Sequence, residues 1–202
     1  MKRQVKSKIS AFWIDVIRVT LLILLAILAI NWGYFVKQVS SWVDDLVPDN
    51  QSAEEVMLTA PDRLAIPSLK IEAPLIRVTA TDEPTLQHGL EQGVVHYPDT
   101  AEPGEFGNAY YFGHSSDYAF KGGKYKTVFA TLPKIAEGEK IYITDQKGKQ
   151  FVYQVVEKKI VGPHDVEVLS QGEGKEKLLT LQTSWPLGTA LKRYLVVAEL
   201  VK

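Results

Sequence analysis

Between Arg18 and Lys37 the chain runs through eighteen uncharged residues, VTLLILLAILAINWGYFV. As a helix rising 1.5 Å per residue, this run spans about 27 Å, close to the ~30 Å hydrocarbon core of a bilayer. Trp13, Trp32 and Tyr34 fall where aromatic side chains settle at the two interfaces. The pattern predicts a membrane anchor at 19–36, followed by a polar, acidic stalk over 37–60. From residue 61 the pattern changes to short apolar runs broken by Pro and Gly. Strands are predicted at 63–69, 71–78, 108–114, 126–132, 140–144, 151–161, 177–183 and 191–201. A short helix is predicted at 85–92, with Leu86 and Leu90 on one face, and a single helical turn at 166–171. At least seven short strands with few helices predict an all-β domain at 61–202, folded as a closed or nearly closed β-barrel.

Charge fixes a direction on this layout. Residues 1–18 carry Lys2, Arg3, Lys6, Lys8 and Arg18 against Asp15. The positive-inside rule therefore places the N-terminus in the cytoplasm and the 61–202 domain outside a single-pass plasma membrane. A cleaved signal peptide is the competing reading, but the Ala26–Ala29 neighbourhood is a poor cleavage site and the apolar run is long. Over the whole chain, 23 basic residues face 24 acidic ones, a balance that excludes a general nucleic-acid binder. The absence of cysteine excludes disulfides, zinc–thiolate sites, iron–sulfur clusters and a thiol nucleophile. No two histidines stand at i, i+4, and neither HExxH, GxxxxGK[ST] nor GxGxxG occurs. No metal site, cofactor or nucleotide is therefore expected.

Three residues are candidates for chemistry. His114 ends the aromatic segment AYYFGHSS at 109–116, directly after Gly113. Ser184 lies where the strand in LTLQTSWPLGTALK meets Trp185–Pro186. Arg193 follows nine residues later on the next strand; if the two strands pair antiparallel, a guanidinium there faces the serine and can hold a developing oxyanion or a substrate carbonyl. Each has a plainer reading taken alone: a packed histidine, a turn-starting serine, an exposed strand cation. His96, in VVHYPDT, reads as structural.

Taken together, the segments resemble the sortase family, the membrane-anchored cysteine transpeptidases of bacterial envelopes. RLAIPSLKIEAPLI at 63–76 looks like a sortase's opening strand pair. GLEQGVVHYPDTAEPGEFGNAYYFGHSS at 89–116 is similar to the family's GxxHYPxTxxPGexGNxxxxGH block. VGPHDVEVL at 161–169 resembles the loop before the penultimate turn, and LLTLQTSWPLGTALKRYLVV at 178–197 resembles the TLxTC…KR block. The resemblance implies an eight-stranded barrel whose groove ends at His114, Ser184 and Arg193. It also implies secreted proteins with C-terminal LPxTG-type sorting signals as substrates. The family cleaves the Thr–Gly bond through an acyl-enzyme, which an amine from a peptidoglycan precursor or a pilin lysine resolves.

The chain departs from the family pattern at one position: Ser184 stands where the family has cysteine. A thiol, with a pKa of about 8.5, supplies thiolate when a cationic site lowers that value. A serine hydroxyl instead needs a base to take its proton during attack, usually a His oriented by a third group. Asp117, Asp145 and Asp165 are the acids considered for that role. The expectation is a protein that binds sorting signals but turns over poorly or not at all. Two rivals stand beside it. One is a trypsin-like hydrolase with the order His114…Asp…Ser184; the other is a non-catalytic envelope-anchored peptide-binding or assembly module on the same scaffold.

Overall fold

A computed structural model describes residues 2–30, 36–37, 39, 60–116, 124–173 and 175–201. Helix α1 (Lys2–Ile30) opens the chain. Among the described residues no helix is long and apolar enough to cross a membrane. The expected 19–36 span begins within α1 and continues into 31–35, outside the described residues, as does most of the 37–60 stalk.

The domain contains β1 (Arg63–Ile66), β2 (Ile71–Arg77), α2 (Glu83–Gln92), β3 (Val94–His96), β4 (Gly107–Phe112), β5 (Lys140–Thr144), β6 (Gln150–Val161), β7 (Lys177–Trp185) and β8 (Lys192–Leu200). These eight strands close into one barrel in the order β1-β2-β3-β4-β7-β8-β6-β5. The all-β, eight-stranded expectation holds for the domain, and a double-barrel hydrolase does not fit a single closed sheet. Two pairings are parallel, β2 with β3 and β4 with β7; the others are antiparallel. The β2–β3 pairing needs a crossover, and α2 supplies it. Asp82 caps α2 by accepting from Thr85 N at 3.1 Å, and Pro84 occupies the first turn, where its missing N–H costs nothing.

Alternation fills the lumen. Leu64 and Ile66, Ala109 and Tyr111, Ile141 and Ile143, and Leu179 and Leu181 each point inward from their strands and are essentially fully buried. Eight strands leave a bore just wide enough for such side chains to fill. Phe129, Leu132 and Ile135 join this core from a segment that differs from the sequence reading. The expected strand at 126–132 is instead a series of turns leading into a 3-10 turn at Leu132–Lys134. Turn hydrogen bonds at Val128, Ala130 and Leu132 replace a strand ladder, and the coiling puts Val128, Phe129 and Leu132 all into the core, which a strand's alternation would not.

One polar cluster ties β2 to the segment before β1 and to the turn between β3 and β4. Arg77 donates from Nε to Glu102 Oε1 at 3.2 Å and from Nη2 to Glu102 Oε2 at 2.9 Å, and its Nη1 bonds Asp62. The Arg77 bond holds the Glu102 carboxyl below its usual value. His96 lies beside this cluster, with Nε2 at 3.0 Å from both Ala101 O and Thr100 Oγ1. Thr100 Oγ1 gives its own proton to Tyr97 O, so the His96 ring carries its proton on Nε2. Its ring stacks at 4.7 Å on Tyr111, while Nδ1 faces Glu102 at 3.7 Å. Burial lowers the His96 imidazole below its ordinary 6.5, and Glu102 only partly opposes this.

Gly104, in the turn before β4, has φ +83°, and a Cβ there would lie 2.0 Å from Phe151 Cε1. Gly148, in the β5–β6 turn, has φ +78° but open space around it. Both sites strain an L-residue, by about 1–2 kcal/mol; only Gly104 adds overpacking, worth about 1–3 kcal/mol more. Urea unfolding of the full chain should therefore show Gly104→Ala clearly less stable than Gly148→Ala. The ionisable cluster predicts a pH profile. Unfolded His96 takes up a proton near pH 6.5 that the folded ring refuses, so stability should decline below that pH until the folded imidazole titrates. The Glu102 contribution is in force above about 4.5 and is lost as pH falls through its lower folded value. Urea midpoints taken from about pH 8 to pH 3 should fall in these two stages, and His96→Gln should diminish the upper one.

Candidate functional site

His114 lies two residues beyond the end of β4, yet its backbone is fixed on both sides. Gly113 N donates to Gln182 O at 3.1 Å, which extends the β4–β7 ladder by one residue. Thr183 Oγ1 donates to Gly113 O at 2.9 Å, and Phe129 N donates to His114 O at 2.9 Å. Phe129 packs so closely on Gly113 that a Cβ there would meet its ring at 2.7 Å. The parallel register pairs Phe112 with Gln182, so two steps further His114 stands level with Ser184. The antiparallel register pairs Ser184 with Arg193. The three expected residues thus form one row across β4, β7 and β8.

Alternation also decides which way the row faces. Leu179, Leu181 and Thr183 of β7 are buried toward the barrel, leaving Thr180, Gln182 and Ser184 on its outer side. There His114, Ser184 and Arg193 line one cavity of about 580 Å³. Its walls come from Leu86 and Leu90 of α2 and from the connection between β6 and β7, with a 3-10 turn at Glu167–Leu169. That connection is tied down by two side chains. Asn108 Nδ2 donates to Val168 O at 3.1 Å. Gln171 accepts from Ala101 N and Asn108 N, both at 3.0 Å, and donates to Asn108 O at 3.2 Å and Leu169 O at 2.9 Å.

Arg193 donates from Nη1 to two backbone carbonyls, Ala190 O at 2.9 Å and Lys192 O at 3.1 Å. These bonds hold the guanidinium at the cavity, where its remaining N–H groups can meet a developing oxyanion. Of the acids considered to orient His114, Asp165 lines the cavity and accepts from Glu167 N at 3.2 Å. Asp145 sits in the β5–β6 turn, where its carboxylate accepts from Lys147 N and Lys149 N at 2.8 Å each; it is not part of the cavity wall. Asp117 lies outside the described residues. Among the described residues no group of three or more His, Asp or Glu side chains is arranged to hold a metal ion.

Sequence reasoning did not single out Tyr110 and Gln182, which line the same cavity. Tyr110 O–H donates to Gln182 Oε1 at 2.5 Å. Burial pushes the Tyr110 phenol well above its usual value, with Arg193 pulling the other way. The signal available for Gln182 was its period-2 spacing from Ser184, which puts both on one face of β7.

A family model for the sortase domain matches residues 64–201. Sortase D of Bacillus subtilis (strain 168) is 30% identical over 141 residues, covering 68% of this chain and 62% of that protein's length. A Clostridium perfringens Sortase D5 transpeptidase superposes with a TM-score of 0.56 at 27% identity, over 69% of this chain and 78% of that one. Sortase A from Corynebacterium diphtheriae gives a TM-score of 0.58 at 29% identity, over 69% of this chain and 60% of that one. The match extends over more than half the chain and takes in all eight strands apart from the first residue of β1, so the chain belongs to the sortase family.

Proposed function

We propose that this chain is a sortase-type transpeptidase of the cell envelope that takes C-terminal LPxTG-type sorting signals into the cavity described above, and that Ser184 leaves it impaired in turnover. The observation that carries this reading is the row His114–Ser184–Arg193 lining one cavity on a sortase domain. In the proposed reaction, the nucleophile at 184 attacks the carbonyl of the Thr–Gly bond. Arg193 holds the negative charge that develops on the carbonyl oxygen, and His114 gives a proton to the departing amine. An amine acceptor, from a peptidoglycan precursor or a pilin lysine, then attacks the acyl-enzyme, passes a proton back to His114 and releases position 184. A thiol enters this cycle as thiolate; a serine must lose its proton during attack, which requires an oriented base. The segment 19–36 is proposed as the anchor, with the N-terminus cytoplasmic and the barrel outside.

The experiment is intact-mass spectrometry of the chain as written and of Ser184→Cys, each incubated with an LPxTG-type peptide and an amine. Ser184→Cys should gain an acyl adduct and form product roughly 100-fold faster or more, the range that proton-transfer catalysis commands. In the Ser184→Cys background, Arg193→Ala should cost about 10²–10³ in rate and His114→Ala about 10²–10⁴. Peptide binding with no adduct in either form, and indifference to His114→Ala, would favour the non-catalytic binding module instead. For the anchor, protease added outside intact bacterial cells should degrade the barrel domain and spare an epitope placed at residue 1. Protection of the barrel would overturn the orientation.

A further inference from the structure

Several polar side chains around the cavity are engaged by the protein itself. Asn108 donates to Val168 O and accepts from Thr180 Oγ1 at 2.8 Å. Gln171 uses both ends of its amide. Gln182 differs. Its Oε1 is taken by Tyr110, but among the described residues its Nε2 has no protein acceptor, and it faces the cavity beside Leu86, Leu90 and Leu169. Beside these apolar residues, a fixed donor helps to set the orientation of what binds.

Tyr110 makes this donor directional. A Gln amide can present either end, and flipping it exchanges donor for acceptor. The buried Tyr110 hydroxyl donates to Oε1, and this bond leaves Nε2 turned toward the cavity. Gln182 and Ser184 are two residues apart on one strand face, about 6.6 Å along the strand. An extended peptide repeats with nearly the same period, so carbonyls two residues apart point the same way. A peptide that runs parallel to β7 with its scissile carbonyl facing Ser184 presents its carbonyl two residues upstream to Gln182.

We infer that Gln182, held by Tyr110, is a substrate-binding donor to the peptide carbonyl two residues before the scissile one, on a peptide that runs parallel to β7. In an LPxTG-type signal this is the proline carbonyl. The inference rests on the proposed sorting-signal reading and adds to it a main-chain contact with the peptide. The serine form is suited to the test because it separates binding from turnover.

Fluorescence anisotropy of a labelled LPxTG-type peptide would be measured on the full chain as written, on Gln182→Ala and on Gln182→Glu. A second peptide carries a thioamide, a weaker acceptor, in place of the proline carbonyl. Gln182→Ala should weaken binding about 2- to 10-fold, the value of one neutral hydrogen bond. Gln182→Glu keeps the side chain's size and the Tyr110 bond but loses the donor, and should weaken binding at least as much. The thioamide should weaken binding to the chain as written and make little further difference to either variant. Equal binding by all three proteins, or a thioamide penalty of the same size in each, would overturn the inference while leaving the proposed function standing. Failure of the chain as written and of Ser184→Cys to bind either peptide would overturn the proposed function, and the inference with it. Unchanged melting temperatures would show that the variants act at the cavity rather than through folding.

Discussion

The bond from Gly113 N to Gln182 O, at 3.1 Å, continues the parallel β4–β7 pairing past the end of β4. It holds the chain on β7 long enough to bring His114 level with Ser184. Thr183 Oγ1 and Phe129 N fix the same stretch by bonding the Gly113 and His114 carbonyls. The arrangement needs a residue without a side chain at 113, since Phe129 already occupies the space a Cβ would take. Core packing and site geometry therefore meet at one backbone position. The same aromatic ring that plugs the barrel also sets where the histidine starts.

A second constraint acts at β2. Arg77 joins the Asp62 turn, β2 and the Glu102 turn, and the turn at Glu102 leads into β4. Charged groups that are only partly buried contribute modestly as isolated pairs. Here a bidentate guanidinium serves two carboxylates, and a buried neutral histidine stacks on Tyr111 next to them. The start of β4 is thereby fixed by polar geometry, while its far end is fixed by the ladder to β7.

The strands that could be read from the sequence are those long enough for alternation to show. Both β7 and β8 run nine residues with inward Leu179, Leu181, Val196 and Ala198. In contrast, β3 has three residues between Gly93 and Tyr97, too few to carry a period, and its place is set by pairing with β2 and β4. The run at 126–132 misled because strand and buried turn share the same apolar composition, and only the packing of Phe129 and Leu132 separates them. At the site, His114, Ser184 and Arg193 were legible because each stands in a recognisable local segment. The Tyr110–Gln182 bond was not, because it joins residues 72 apart through a parallel register that no local pattern encodes. The same holds for the acids: nothing near Asp145 or Asp165 in sequence tells that one closes a turn and the other lines the cavity.

The side chain of Gln171 satisfies both ends of its amide within the wall that covers the cavity. A wall secured in this way does not have to be ordered by its guest. Immobilising a loose loop on association commonly sets an entropic cost against the attraction between the two surfaces. Here that cost is met during folding for the stretch that Gln171 ties down, which presents its surface to the cavity already in place.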